Sequence, residues 1–334
     1  MRRQAGDGHQ HAIVRASGAL VSRARGAPYP GVAAAARSTV NVRLGMSRLS
    51  AYVALTKPRI IELLLVTTLP TMVVAQRGMP PVWLMAITLL GGALAAGGAN
   101  AINMVIDRDI DAVMKRTQDR PLVTGVISAR GALIFAITLE LAAFALLWLV
   151  VNPLSACLAL GATAFYVFVY SLWLKRSSVN NIVIGGAAGA VPVLVGWTAV
   201  QNKLSLAPIL LFGVIFAWTP PHFWALAIKY RDDYSSVDVP MMPSVRSVAS
   251  TARQIAIYTV ILWVTSLAFA PAADMGLLYT GSAIVLGAVF MLFAVQLQRD
   301  GSTARAMRLF SYSITYVTLL FGAMAVDQLI RGGS

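Results

Sequence analysis

Nine apolar runs, each long enough to cross about 30 Å of hydrocarbon, decide what this chain can become. They lie near residues 60–76, 83–106, 131–151, 154–174, 181–200, 207–228, 254–271, 276–297 and 307–329. The third and fourth are parted by Asn152 and Pro153 alone, which is enough for a tight turn between helices. With 58% hydrophobic and 12% charged residues over 334 positions, and a mean hydropathy of +0.72, a soluble domain is excluded. The expected fold is an all-α integral membrane protein, a bundle of nine transmembrane helices with a central cavity opening to the cytoplasmic side.

Positive charge orients that bundle. With the N-terminus inside, all 27 Lys and Arg residues except Arg77, Lys203 and Arg331 fall in or beside cytoplasmic segments, an asymmetry that one missed helix would scramble. The same arrangement accounts for a net charge of +14 and a pI near 10.5 without any nucleic-acid partner, because basic clusters between spans face anionic headgroups of the bilayer. The expected location is a bacterial plasma membrane, multi-pass, with a cytoplasmic N-terminus; a mitochondrial inner membrane is the alternative. Cys157 is the only cysteine, which excludes an internal disulfide framework and a multi-cysteine metal site.

Residues 1–48 form a basic tail rich in Arg, Ala, Gly and Ser whose sole acid is Asp7, a composition that does not bury a core. The tail reads as disordered, as a targeting segment, or as sequence upstream of a start at Met46. Residues 49–334 then form the nine-helix domain, and residues 1–45 are dispensable to it. His9 and His11 lie in the tail and receive no role.

The second run ends abruptly in acids and then bases, NAINMVIDRDIDAVMKRTQDRPL from Asn100 to Leu122. On a continuous helix Asn100, Asn103, Asp107 and Asp111 form one stripe. Carboxylates at i, i+4 repel, costing a helix about 0.2–0.5 kcal/mol, so the stripe reads either as a solvated helix end or as a site for a divalent cation. Hard oxygen ligands favour Mg²⁺, which commonly completes its shell with water and substrate phosphates. Lys115, Arg116, Arg120 and Arg130 follow and suit an anionic phosphate group.

The sixth run ends in a second pair, Asp232 and Asp233, flanked by Tyr230 and Tyr234. Four spans separate the two exits, so both acid clusters emerge on one membrane face. The pair reads as a hydrated loop or as the opposite half of a Mg²⁺-diphosphate site. His222, the remaining histidine, follows Pro220 and Pro221, which are expected to interrupt the helix. It is either a packed residue or a ligand, since imidazole can bind haem iron. If the helix runs on to Asp233, His222 lies about 16 Å deeper. Glu62 and Glu140 are acids inside spans and need partners that the sequence does not name. The glycines at 185, 186 and 189 suit close helix packing.

The spacing Asn103-x-x-x-Asp107-x-x-x-Asp111, followed by Lys115-Arg-Thr-x-x-Arg120-Pro-Leu, resembles the first acidic motif of the UbiA-type intramembrane aromatic prenyltransferase superfamily. Three further blocks resemble its haem-farnesylating branch: Leu55-Thr-Lys-Pro-Arg-Ile-Ile-Glu62, Asn181-Ile-Val-Ile-Gly-Gly-Ala-Ala-Gly-Ala190, and Pro220-Pro-His-Phe-Trp-Ala-Leu-Ala-Ile228. The likeness runs from about Tyr52 to the C-terminus. Superfamily members usually carry a longer acidic run at the second site than Asp232 and Asp233 supply.

The resemblance implies transfer of a farnesyl group from farnesyl diphosphate to a vinyl group of haem B, giving haem O and diphosphate for cytochrome oxidase haem synthesis. It implies Asn103, Asp107, Asp111, Asp232 and Asp233 as Mg²⁺-bearing catalytic residues. Lys57, Arg116, Arg120, Lys175 and Arg176 become diphosphate binders, and His222 an acceptor-binding residue. Haem B is then a substrate, and a downstream haem A synthase a candidate partner. The alternatives are a different aromatic or tetrapyrrole acceptor, or a secondary transporter using intramembrane acids. Transporter sites usually lie near the midplane, whereas these acids lie at helix ends.

The basic-residue asymmetry makes the C-terminus external. A reporter fused after Ser334 should read out on the periplasmic side, and a cytoplasmic signal would show that a crossing has been miscounted.

Overall fold

The computed structural model describes residues 47–332, with side chains described outside 59–65. His9, His11 and the rest of the tail up to residue 46, and the side chains of Arg59 and Glu62, lie outside the described residues. Every long element is helical: α1 (Arg48–Leu55), α2 (Pro58–Gln76), α3 (Val82–Ile106), α4 (Arg108–Val113), α5 (Ala129–Val151), α6 (Pro153–Ser177), α7 (Asn181–Gln201), α8 (Leu206–Lys229), α9 (Arg231–Ser235), α10 (Met242–Val245), α11 (Val248–Ala272), α12 (Leu277–Asp300) and α13 (Thr303–Gly332). Eight of the described helices, α3, α5 to α8 and α11 to α13, are long and apolar enough to cross a membrane. The chain is therefore an integral membrane protein. The 19-residue α2 stands where the first crossing is expected.

Consecutive long helices pack as antiparallel neighbours, α3 on α5, α7 on α8, α8 on α11, α11 on α12 and α12 on α13. The bundle closes on itself because α13 returns to α2 and α8, while α2 also packs on α3 and α7. The largest apolar core runs through α7, α8 and α11 to α13, around Trp218, Trp224, Phe269, Phe290 and Phe321. Two smaller cores lie around α1, α3 and α5, and around α3, α5, α6 and α7. The acids at the end of α3 sit at the seam between these halves.

Local chemistry explains where the helices start. Ser128 caps α5 by accepting from the Gly131 amide at 3.1 Å, and Ser247 caps α11 from Ser250 at 3.2 Å. Asn152 adopts the extended conformation before Pro153, which occupies the first turn of α6 as its fixed φ allows. Its side chain accepts from the Ser155 amide at 2.8 Å and donates to the Thr198 carbonyl of α7, also at 2.8 Å. The short Asn152-Pro153 turn is thus tied to α7 by a side-chain hydrogen bond.

Two expectations about helix continuity are corrected. Pro220 and Pro221 do not interrupt α8, which runs unbroken from Leu206 to Lys229. Thr219 Oγ1 bonds the Ile215 carbonyl at 2.8 Å just before them, and the helix packs on α11 and α13. The helix does stop at Lys229, where Tyr230 has φ −106° and ψ 21°, so no continuous helix carries His222 to Asp233. His222 instead lies seven residues from the Lys229 end, about 10 Å below it.

Glu140 has a partner that the sequence did not name: Thr163 of α6 donates to its carboxyl at 3.2 Å. Gly98 of α3 permits the approach, since a Cβ there would meet Glu140 Oε1 at 2.6 Å.

Replacing Asn152 by Ala removes both the cap and the α6–α7 tie. Thermal unfolding in detergent should show a loss of about 1–2 kcal/mol; an unchanged midpoint would mean that the turn is held by Pro153 alone.

Candidate active site

The site is built where α3 gives way to α4. Asp107 ends one helix and begins the next, with φ −89° and ψ 5°, yet its amide still bonds Asn103 O and its carbonyl accepts from the Asp111 amide, both at 2.9 Å. The predicted stripe is therefore bent but not scattered. Asn100 Nδ2 donates to Thr56 O at 3.2 Å, fastening the turn between α1 and α2. That turn places Lys57 in the left-handed region, φ 51° and ψ 68°. The break between α1 and α2 at this residue lets Lys57 Nζ reach Asn103 of α3.

Around Asp107 the partners converge from three helices. Lys57 Nζ donates to Asn103 Oδ1 at 3.1 Å, and Asn103 Nδ2 donates to Asp107 Oδ2 at 2.7 Å and to Ser171 Oγ at 3.0 Å. Lys175 pairs with the same Asp107 oxygen. Ser171 and Lys175 lie on α6 at or just beyond a π-helical stretch from Phe165 to Leu174, where the wider turn lets Ser171 Oγ reach the Tyr166 carbonyl five residues back at 2.9 Å. Asp111 pairs with Arg120 at 2.5 Å. Asp107 is 0% exposed, and its Oδ1 is buried without a hydrogen-bond partner.

Electrostatics follow from this crowding. Burial pushes the Lys57 ammonium down to about 7; Arg120 and Lys175 repel it, while Asp107 and Asp111 both pull it back up. An anion arriving here would favour the charged lysine. Asp109, absent from the predicted set, forms two contacts of 2.7 Å with Arg176, whose hydrogen bond holds the Asp109 carboxyl below its ordinary value. Arg176 also donates to Ile106 O at 3.0 Å and stands 4.0 Å from Asp107 Oδ1.

The second acid segment meets the first, as counting spans required. Arg116 donates to the Tyr234 hydroxyl at 3.1 Å and lies over the rings of Tyr230 and Tyr234, 5.7 and 5.3 Å from their centroids. Burial raises the Tyr234 phenol, with Arg116 and Arg120 opposing. Asp232 and Asp233 do not enter together, because neighbours on a helix diverge by about 100°. Asp233 is half-buried beside Tyr234, whereas Asp232 has a side chain 96% exposed and 3.4 Å from Arg231. Among the described residues no three acidic, histidine or cysteine groups converge on one point.

Comparison with known proteins gives the family. The UbiA prenyltransferase family model matches residues 64–320. A Streptomyces coelicolor protein named protoheme IX farnesyltransferase is 51% identical over 85% of this chain and 92% of its own length. One of the same name from a Nocardioides species is 48% identical over 90% and 98%. The chain belongs to the UbiA prenyltransferase family.

Solved structures share the UbiA fold at low identity. A digeranylgeranylglyceryl phosphate synthase superposes with a TM-score of 0.71 at 16% identity, covering 85% of this chain and 100% of that one. A UbiA homologue from Archaeoglobus fulgidus bound to DMAPP and Mg²⁺ gives 0.62 at 18% identity, covering 84% and 99%.

Of the residues expected from sequence, Asn103, Asp107, Asp111, Lys57, Arg120, Lys175 and Arg176 come together in this UbiA chain, and Arg116 bridges to the second segment. Lys115 and Arg130 stay exposed. Ser171 was missed, although its place four residues before Lys175 on one helix face was a readable signal. Asp109 was missed because it lies off the acid stripe.

The different placement of the two loop acids makes a test. Asp233→Asn should lower turnover at least tenfold more than Asp232→Asn in purified protein. Equal losses would show that Asp232 rotates inward when substrate binds.

Proposed function

We propose that this UbiA-family prenyltransferase moves a farnesyl group from farnesyl diphosphate to a vinyl group of haem B, producing haem O and diphosphate. The observation that carries the site is the buried Asp107 carboxylate at a membrane helix end, with one oxygen held by Asn103 and Lys175 and the other without a hydrogen bond, Arg176 standing 4.0 Å away. The acceptor rests on relatives about half identical over most of their length that are named protoheme IX farnesyltransferase.

An orphaned carboxylate oxygen among hard oxygen donors fits a divalent cation. Asn103, Asp107 and Asp111, with Asp233 opposite, would hold Mg²⁺, which when bound neutralises diphosphate charge; Asp232 faces outward. Lys57, Arg116, Arg120, Lys175 and Arg176 bind the diphosphate oxygens and stabilise the charge that grows as the allylic C–O bond breaks. The surrounding helices orient the vinyl carbon to form the new C–C bond and restrict water until one molecule adds hydroxide, releasing a proton. His222 binds the acceptor from below.

In this reading the bundle has nine crossings and a central cavity that opens, with both acid segments, on the cytoplasmic face of a bacterial plasma membrane. Residues 49–334 form the catalytic domain and residues 1–48 a tail outside it. Haem O would leave for an enzyme that oxidises it further, a haem A synthase.

Expression in a bacterial host lacking this activity should produce haem O detectable by mass spectrometry. Asp107→Asn should lower its yield more than 100-fold while membrane insertion is unchanged. A farnesylated product other than haem O would replace the acceptor, and full yield from Asp107→Asn would remove the site.

A further inference from the structure

We propose that Ser313 of α13 fixes the tautomer of His222 so that Nε2 is presented as an axial ligand to the haem iron. The inference rests on haem being the acceptor, and it assigns a positioning role to a residue on the last helix, far from the acid motifs in sequence.

The imidazole is held on nearly every side but one. Trp218, one turn earlier on α8, stacks on it with ring centroids 4.3 Å apart and planes at 22°. Phe310 of α13 lies at 4.5 Å and 31°. Two near-parallel rings so close cannot share one face of a five-membered ring, so both faces are covered. Phe223 adds an edge contact at 5.1 Å. The ring can then offer a ligand only its edge, which is where an iron-binding nitrogen lies.

Hydrogen bonding decides which nitrogen that is. His222 Nδ1 lies 2.7 Å from Ser313 Oγ, and Ser313 Oγ lies 2.6 Å from the Phe310 carbonyl. A hydroxyl has one proton. Donated to the carbonyl, at the shorter contact, it leaves the oxygen to accept from Nδ1–H. The reverse arrangement forfeits the Phe310 bond. With Nδ1 protonated in a neutral ring, the lone pair sits on Nε2, which makes no hydrogen bond among the described residues. Trp218 Nε1 donates to the Ser313 carbonyl at 2.7 Å, locking the serine backbone to the same aromatic ring that stacks on the histidine.

This is the arrangement that tunes metal-binding histidines: one nitrogen donates into a hydrogen-bond chain while the other ligates. Iron held at His222 fixes the depth of the porphyrin about 10 Å below the Lys229 end of α8. That determines which of its edges reaches the diphosphate site.

The test uses the full chain with His9→Gln and His11→Gln, which leaves His222 as the sole histidine. In protein without haem, ¹⁵N-histidine NMR should show Nδ1 protonated and Nε2 bare; the opposite tautomer overturns the proposal. Ferric haem B titrated into this protein should then show a histidine-ligated absorption and EPR spectrum that His222→Ala abolishes. Ser313→Ala should weaken haem binding about tenfold, leave binding of a farnesyl diphosphate analogue unchanged, and be rescued by Ser313→Thr. Unchanged haem affinity in Ser313→Ala, or equal weakening of both ligands, overturns the positioning role. A haem spectrum identical in wild type and His222→Ala overturns ligation but leaves the transferase reading standing, whereas a wild type that binds no haem overturns both.

Discussion

The structure depends on keeping one carboxylate charged inside a membrane protein. Asp107 has no solvent exposure, and its charge is tolerated because Lys175 and Asn103 hold one oxygen while Arg176 stands 4.0 Å from the other. Removing a partner from such a pair costs about 3–5 kcal/mol, because the remaining charge is stranded. The α3–α4 bend, the π-helical stretch of α6 and the left-handed Lys57 turn all converge on this point. Each is a departure from regular helix, and the last two bring Lys57 to Asn103 and Ser171 and Lys175 to the Asn103–Asp107 pair.

The same crowding gives the site its chemistry. Burial lowers the Lys57 ammonium, and Arg120 and Lys175 add repulsion that Asp107 and Asp111 oppose. An anionic diphosphate relieves that repulsion, and a cation at Asp107 Oδ1 relieves the opposite deficit. A pocket with both kinds of unmet demand is suited to a metal-diphosphate pair more than to either ion alone.

Much of this was legible in sequence, for reasons that can be traced to individual residues. Runs of apolar residues marked the long helices to within about six positions, since lipid leaves the backbone no alternative to helix. Counting those runs placed both acid clusters on one face; Arg116 of the first segment does contact Tyr234 of the second, while Asp232 faces outward. What the sequence concealed depends on side-chain direction and backbone detail. The split between Asp232 and Asp233 follows from their adjacent places on α9, where neighbours diverge by about 100°; the stop at Lys229 is signalled by nothing but the loss of apolar pattern. The unbroken path of α8 through Pro220 and Pro221, packed on α11 and α13, is one that propensity rules do not see. Glu140 found Thr163 only because Gly98 leaves room.

The central claim is that the buried acid site and a haem acceptor act in one reaction. It is tested most directly by following diphosphate release from purified full-length protein in lipid nanodiscs, supplied with farnesyl diphosphate and Mg²⁺, with haem B present or withheld. The account predicts release that requires haem B, stops on addition of excess chelator, and matches the haem O formed mole for mole. Release that proceeds equally without haem B, or that survives the chelator, would contradict it.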